Sequence, residues 1–176
     1  MKNLKTISLL TLSAFACCSV VFAQSGPAKA IKAYYAKDDA LMLKLDFVGL
    51  KKLKTEYSTS DYVSFNKPDK AGNVKKSTLA QEFQEMDQFR GIIDTISRSA
   101  THVDRMTIQK TTTVVMVTSS GEVKTKKLPK DGKVHSIANT SVSQDTWVLA
   151  GRSWKMKSSK TLSDKLVVDG RPIPGM

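Results

Sequence analysis

The sequence predicts an α+β domain with helices packed on one side of a curved, mostly antiparallel sheet. Three observations predict it. Apolar residues recur at helical spacing early in the chain and again between residues 79 and 96. Beyond Thr101 the period changes to two, in Thr- and Val-rich runs separated by Gly, Pro and Asp turns. Residues 145–156 read Asp-Thr-Trp-Val-Leu-Ala-Gly-Arg-Ser-Trp-Lys-Met, a tight hairpin with a tryptophan on each arm. Helices first and strands after is the order of an α+β fold rather than of alternating βαβ units.

Taken in chain order, residues 24–27 form a short leader and residues 28–172 a single domain, with residues 173–176 as a tail. Ile31, Tyr34, Tyr35, Leu41, Met42 and Leu45 share one helix face, while Lys32, Lys37, Asp38, Asp39 and Lys44 take the other. Phe47, Leu50 and Leu53 continue as a second short helix, with Gly49 a mild breaker between the two. Lys51, Lys52 and Lys54 sit at its C-terminal end, where cations suit the dipole. Residues 61–65 alternate as a short strand, and residues 66–73 form a turn-rich loop. Ser77 caps a third helix carrying Leu79, Phe83, Met86, Phe89, Ile93 and Ile96, which ends across residues 97–101. Strands follow over residues 103–108, from 111 past Gly121 toward 127, over 134–149 and over 152–168. With Ala150-Gly151 as the hairpin turn, Trp147 faces Trp154, Asp145 faces Met156 and Thr146 faces Lys155.

The N-terminus predicts export. A basic start, Met1-Lys-Asn-Leu-Lys5, precedes an uncharged apolar run from Ile7 to Phe22 that closes Val21-Phe22-Ala23. This is the layout of a signal peptide over residues 1–23, cleaved after Ala23 into a periplasmic or extracellular product. The run falls short of the roughly 20 residues a membrane span needs, so no stable span remains after cleavage. A lipid anchor through Cys17 or Cys18 would need a different approach sequence than Ala14-Phe-Ala16. Both cysteines lie in this segment, so the mature chain has no disulfide, thiol nucleophile or thiolate metal site, and its core must hold it together.

The formal net charge is +12, and removing Lys2 and Lys5 leaves +10. The lysines alternate with inward residues along strands, as at Lys155 and Lys157, which is the pattern of a solvated face. Export argues against nucleic acid as a partner; acidic envelope polymers remain compatible with the charge.

The element order, together with Asp145-Thr-Trp147-Val148, Trp154-Lys155-Met156 and the closing Val168-Asp-Gly-Arg-Pro172, resembles the SnoaL-like branch of the nuclear-transport-factor-two-like superfamily. The helix carrying Ile31, Tyr34 and Tyr35 fits that family's first helix, and the resemblance covers nearly the whole mature chain. It implies a cone-shaped half-barrel with N-terminal helices on the concave face of the sheet. It further implies a pocket between sheet and helices, and frequent homodimers. Members include isomerases, cyclases, dehydratases, hydrolases and many non-catalytic binding domains, so the fold alone does not name a function. Enzymatic members place an Asp, His or Tyr acid/base in the pocket, and no position here matches such a motif.

Asp145 is the leading polar candidate: among indoles its carboxyl would be raised in pKa by desolvation, which suits a general base. The competing reading is a carboxylate satisfied by a backbone amide or a lysine. Trp147 and Trp154 are either ligand-stacking rings or a core pair, and one of Tyr34 and Tyr35 points its hydroxyl at the pocket. His135 and Asp145 share parity but lie about 33 Å apart along an extended strand. His102 can reach Asp104. Two histidines without metal spacing make no zinc site, and no phosphate loop, dinucleotide fingerprint or nucleophile elbow occurs, so no cofactor is expected. Asn139-Thr-Ser141 matches a glycosylation sequon.

Three functions fit, in this order. The first is an exported, non-catalytic domain that binds a small apolar or amphipathic ligand, or a protein partner, through Tyr34, Tyr35, Asp145, Trp147 and Trp154. The second is a small isomerase, dehydratase or hydrolase with Asp145 as base. The third is a basic surface protein.

Overall fold

The computed structural model describes residues 26–173. The predicted signal peptide and both cysteines lie outside the described residues, as do residues 174–176. Three helices, α1 (Pro27–Leu43), α2 (Phe47–Tyr57) and α3 (Leu79–Ile92), pack against a curved, unclosed sheet. Its strands are β1 (Ser58–Phe65), β2 (Lys76–Thr78), β3 (Ile93–Ile108), β4 (Thr112–Thr125), β5 (Ser136–Ala150), β6 (Ser153–Val168) and β7 (Arg171–Pro172). The order is β2-β1-β6-β5-β4-β3, with β7 on β6; every pairing is antiparallel except β1 with β6. Among the described residues no helix is long and apolar enough to cross a membrane.

The main core lies between α1 and the centre of the sheet. Trp147 on β5 is fully buried, with Val115 on β4 and Met156 on β6, against Ile31, Tyr34 and Tyr35 of α1. The Trp147 ring meets Tyr34 edge-on at 5.1 Å and Tyr35 at 6.1 Å. This geometry favours the positive ring edge against the negative face. A second, smaller cluster joins Ile93, Ile96 and Val123 with Met42 and Phe89 packed on it.

Several boundaries differ from the sequence expectation, each for a local reason. The break after α1 falls at Leu45, whose φ of 55° no helix continues, rather than at Gly49. Gly49 belongs to α2: Asp46 caps that helix by accepting the Gly49 amide at 2.8 Å. A Cβ at position 49 would collide with the Asp46 carboxylate and with Leu41. Thr78, not Ser77, caps α3, through a reciprocal pair with Gln81; Ser77 is buried in β2. Ile93 and Ile96 belong to β3 rather than to α3. Their helix-like spacing of three arises because Asp94 is an extra residue in the β3–β4 ladder, which returns both isoleucines to one face.

The hairpin forms, but its turn is Gly151-Arg152 and not Ala150-Gly151. Gly151 takes φ 63°. Moving the turn by one residue moves every partner by two. Trp147 therefore pairs with Met156 and Trp154 with Leu149.

Candidate functional site

Asp145 lies at the centre of β5 with 3% exposure. Opposite it on β6 stands Ser159, although Met156 faces Trp147 only two places along β5. The spacing of three on β6 reflects a bulge at Lys157, which turns Ser159 back to the concave face. Thr161 follows on the same face by alternation, opposite Ser143, and Leu162 is a second extra residue that re-phases the strand beyond it, bringing Leu166 opposite Asn139 on that face. The result is a ring of hydroxyls around one carboxylate. Ser159 Oγ donates to Asp145 Oδ1 at 2.6 Å, Ser143 Oγ to the same oxygen at 3.2 Å, and Tyr35 Oη to Oδ2 at 2.5 Å. Trp147 Nε1 in turn donates to the Tyr35 oxygen at 3.4 Å. Burial pushes the Asp145 carboxyl above the ordinary carboxylate range, with the hydroxyls from Ser159, Tyr35 and Ser143 opposing. Burial, reinforced by the Asp145 charge, pushes the Tyr35 phenol above its usual value.

Each helix adds charged side chains. Tyr62 on β1 donates to Glu82 Oε1 on α3 at 2.9 Å, and Lys54 Nζ on α2 lies 3.4 Å from Glu82 Oε2. Asp38 on α1 also turns inward, and its Oδ1 is buried without a hydrogen-bond partner. Burial raises its carboxyl, Lys54 opposes, and Asp39 and Glu82 add to the rise. Asp39, beside it, accepts the Thr101 amide at 2.7 Å and the Ser99 hydroxyl at 2.9 Å, which fastens α1 to β3. Neither aspartate lies on the solvated face that the sequence reading assigned it.

These groups surround a cavity of about 500 Å³ between the concave sheet face and the helices. Tyr34, Tyr35, Asp38, Lys54, Glu82 and Asp145 all contribute to its wall. A second hollow of about 380 Å³ adjoins it and shares Asp38, Met42, Phe89, Thr101 and Ser119. That lobe is closed by Ile96, Val123, Ile137 and Leu166 and is mainly apolar. Two of the candidate aromatic residues are placed elsewhere. Trp147 is sealed beneath the cavity floor at 0% exposure. Trp154 borders a separate hollow of about 210 Å³ by the hairpin turn, with Tyr57 and Arg152.

The sequence reading missed Asp38, Lys54 and Glu82, and a signal for them was present. Asp38 stands seven residues after Ile31 and four before Met42, on the apolar stripe of α1. Lys54 lies four after Leu50, and Glu82 three after Leu79 and four before Met86. A charge that interrupts an amphipathic stripe faces inward with its neighbours. The histidines stay outside this site. His135 is held between Asp169, at 2.7 Å from Nδ1, and Asp131, at 2.8 Å from Nε2. His102 lies 3.9 Å from Asp104 on the exposed face of β3. No cluster of three or more metal-ligating side chains occurs among the described residues.

No protein-family model and no curated protein matches the sequence. Solved structures do match. An NTF2-like protein from Cytophaga hutchinsonii is 14% identical, over 78% of this chain and 98% of its own, with a TM-score of 0.54. An NTF2-like protein of unknown function in nutrient uptake from Rhodospirillum rubrum is 18% identical over 75% of this chain and 96% of its own, with a TM-score of 0.52. A hexachlorocyclohexane dehydrochlorinase is 10% identical over 85% of this chain and 90% of its own, with a TM-score of 0.57. Three helices on a curved, unclosed, mostly antiparallel sheet, matched along nearly the full length of such proteins, give this chain the NTF2-like fold.

Proposed function

We propose that this protein is an exported, non-catalytic binding domain whose concave cavity takes a small amphipathic ligand. The carrying observation is the pairing of a polar cavity of about 500 Å³ with an adjoining apolar lobe, within the size range of small-molecule sites. Of the apolar and amphipathic ligands expected from the sequence, the mixed lining favours the amphipathic one. Asp145 has the hydrogen bonds of a fixed wall group: three hydroxyls already occupy its two oxygens. Those hydroxyls fill most of a carboxylate's roughly four acceptor sites, which leaves a general base little lone-pair capacity to aim at a substrate.

A second reading rests on the Tyr35–Asp145 bond. At 2.5 Å, with the phenol donating to a carboxyl and both raised by burial, it is a short charge-assisted hydrogen bond at a cavity wall. The dehydrochlorinase among the matched structures shows that this fold hosts enzymes. In that reading Asp145 takes the proton and Tyr35 orients the substrate.

Backbone-amide NMR of residues 24–176 titrated with hexan-1-ol, a generic amphipath, tests the binding site. Shift changes confined to the concave face, and abolished by Ser119→Phe at the junction of the two lobes, are the expected result. Changes scattered over the convex face, or none at all, would overturn it. Export is tested separately by N-terminal sequencing of the protein recovered from its own host, with Gln24 expected as the first residue.

A further inference from the structure

We infer that the cavity selects a primary amine, its ammonium group seated against Asp38 and its apolar chain running into the adjoining lobe. The inference rests on the binding role proposed above and names the chemistry of the ligand.

The charge balance of the cavity is opposite to that of the chain. A protein with a net charge of +12 presents Asp38, Glu82, Glu85 and Asp145 to this space against Lys54 alone. Lys54 is committed to Glu82 at 3.4 Å. Asp145 is surrounded by neutral hydroxyl donors and has no cation in contact. Arg98, the basic residue of the apolar lobe, turns to Glu122 at 3.7 Å. Asp38 is therefore a half-buried carboxylate whose Oδ1 is buried without a hydrogen bond and whose nearby cation, Lys54, acts on it only through space, at the seam where the polar and apolar lobes meet. A buried acceptor left unsatisfied is costly, and a buried charge without a counter-charge more so. An ammonium donor removes both costs at once. Tyr34 and Phe89 share that wall.

The lobes set the shape of the ligand. From Asp38 the continuing surface is Met42, Phe89, Ile96, Val123 and Ile137, all apolar. A head group with a short aliphatic or aromatic tail fits that sequence of surfaces.

Hexylamine and hexan-1-ol, equal in heavy-atom count, separate the two claims in calorimetric titrations at pH 7. The expected result is at least tenfold tighter binding of the amine, falling to less than threefold in Asp38→Asn. Asp104→Asn, on the exposed face of β3, should leave the preference unchanged. Equal affinity for amine and alcohol would overturn the amine inference while leaving the binding role standing, as would a preference that survives Asp38→Asn. Binding of neither compound would overturn both. Asp38→Asn removes the charge and keeps the side-chain shape, and an unchanged circular dichroism spectrum confirms that it folds.

Discussion

The Tyr35 hydroxyl reaches across 110 residues of chain to donate a 2.5 Å hydrogen bond to Asp145. That bond ties the first helix to the central strand and relays onward to the indole of Trp147. Tyr35→Phe leaves one Asp145 oxygen and the Trp147 N–H without their partner at a buried position. A loss of about 1–3 kcal/mol is expected by urea denaturation, the usual cost of orphaning a buried polar group. Tyr35 lines the cavity through its hydroxyl, so hexan-1-ol binding should change far less than stability does.

Burial raises the phenols of Tyr34, Tyr35 and Tyr62. A spectrophotometric titration at 295 nm should therefore find these three un-ionised in the folded protein up to about pH 11, above the ordinary tyrosine value near 10. Their absorbance change should arrive together with alkaline unfolding. Ordinary titration below pH 11 would contradict the buried arrangement.

Asp38 sets one slope of the stability curve. Its folded pKa is raised above the ordinary value of 3.8, so the native state binds the proton more tightly than the unfolded chain does. The group's favourable contribution is present below pH 3.8 and is lost as pH rises through the folded value. Asp38→Asn should match the parent below pH 3.8 and exceed it at pH 7, by about 1–3 kcal/mol for a buried group without its partner. The groups acting on it are Lys54, Asp39 and Glu82, so the comparison needs these unchanged. A variant less stable than the parent at pH 7 would show that Asp38 has a partner in solution.

His135 works in the same direction on the outside of the molecule. Hydrogen bonds to Asp169 and then Asp131 raise its pKa above 6.5. Its contribution is full below pH 6.5 and is lost as pH rises through the folded value. Proton NMR of the imidazole should place its midpoint above 6.5, and Asp169→Asn should lower that midpoint. Hydrogen exchange in the β4–β5 loop and the β6–β7 turn should quicken above the transition, because His135 joins the two.

The fold was more legible than the site. Period-two and period-three patterns located the helices and the long strands, since burial of one face leaves a repeating mark in the sequence. The exchange of Ile93 and Ile96 from helix to strand shows the limit: one extra residue in a ladder imitates helical spacing. The hairpin was legible as a hairpin, but Ala150-Gly151 and Gly151-Arg152 differ by one peptide in a sequence that suits either. Only the packed state chose between them. Tyr34, Tyr35 and Asp145 were readable because aromatic rings and a carboxylate stood within apolar runs. Asp38 was read as solvent-facing, Lys54 as a cation suited to a helix end, and Glu82 was given no role, because charge was weighed before position. Helix phase places all three inside.

The extra residues at Lys157 and Leu162 have a consequence for how this wall can change. Neither side chain belongs to the cavity, yet each decides which of its neighbours does. Deleting one of them would reverse the facing of the strand residues on one side of the cut without altering a single hydroxyl. Length variation at two outward positions would thus act as several simultaneous substitutions inside. In this sheet the count of residues along β6 itself decides which side chains line the cavity, and position-by-position mutagenesis of the lining would never touch it.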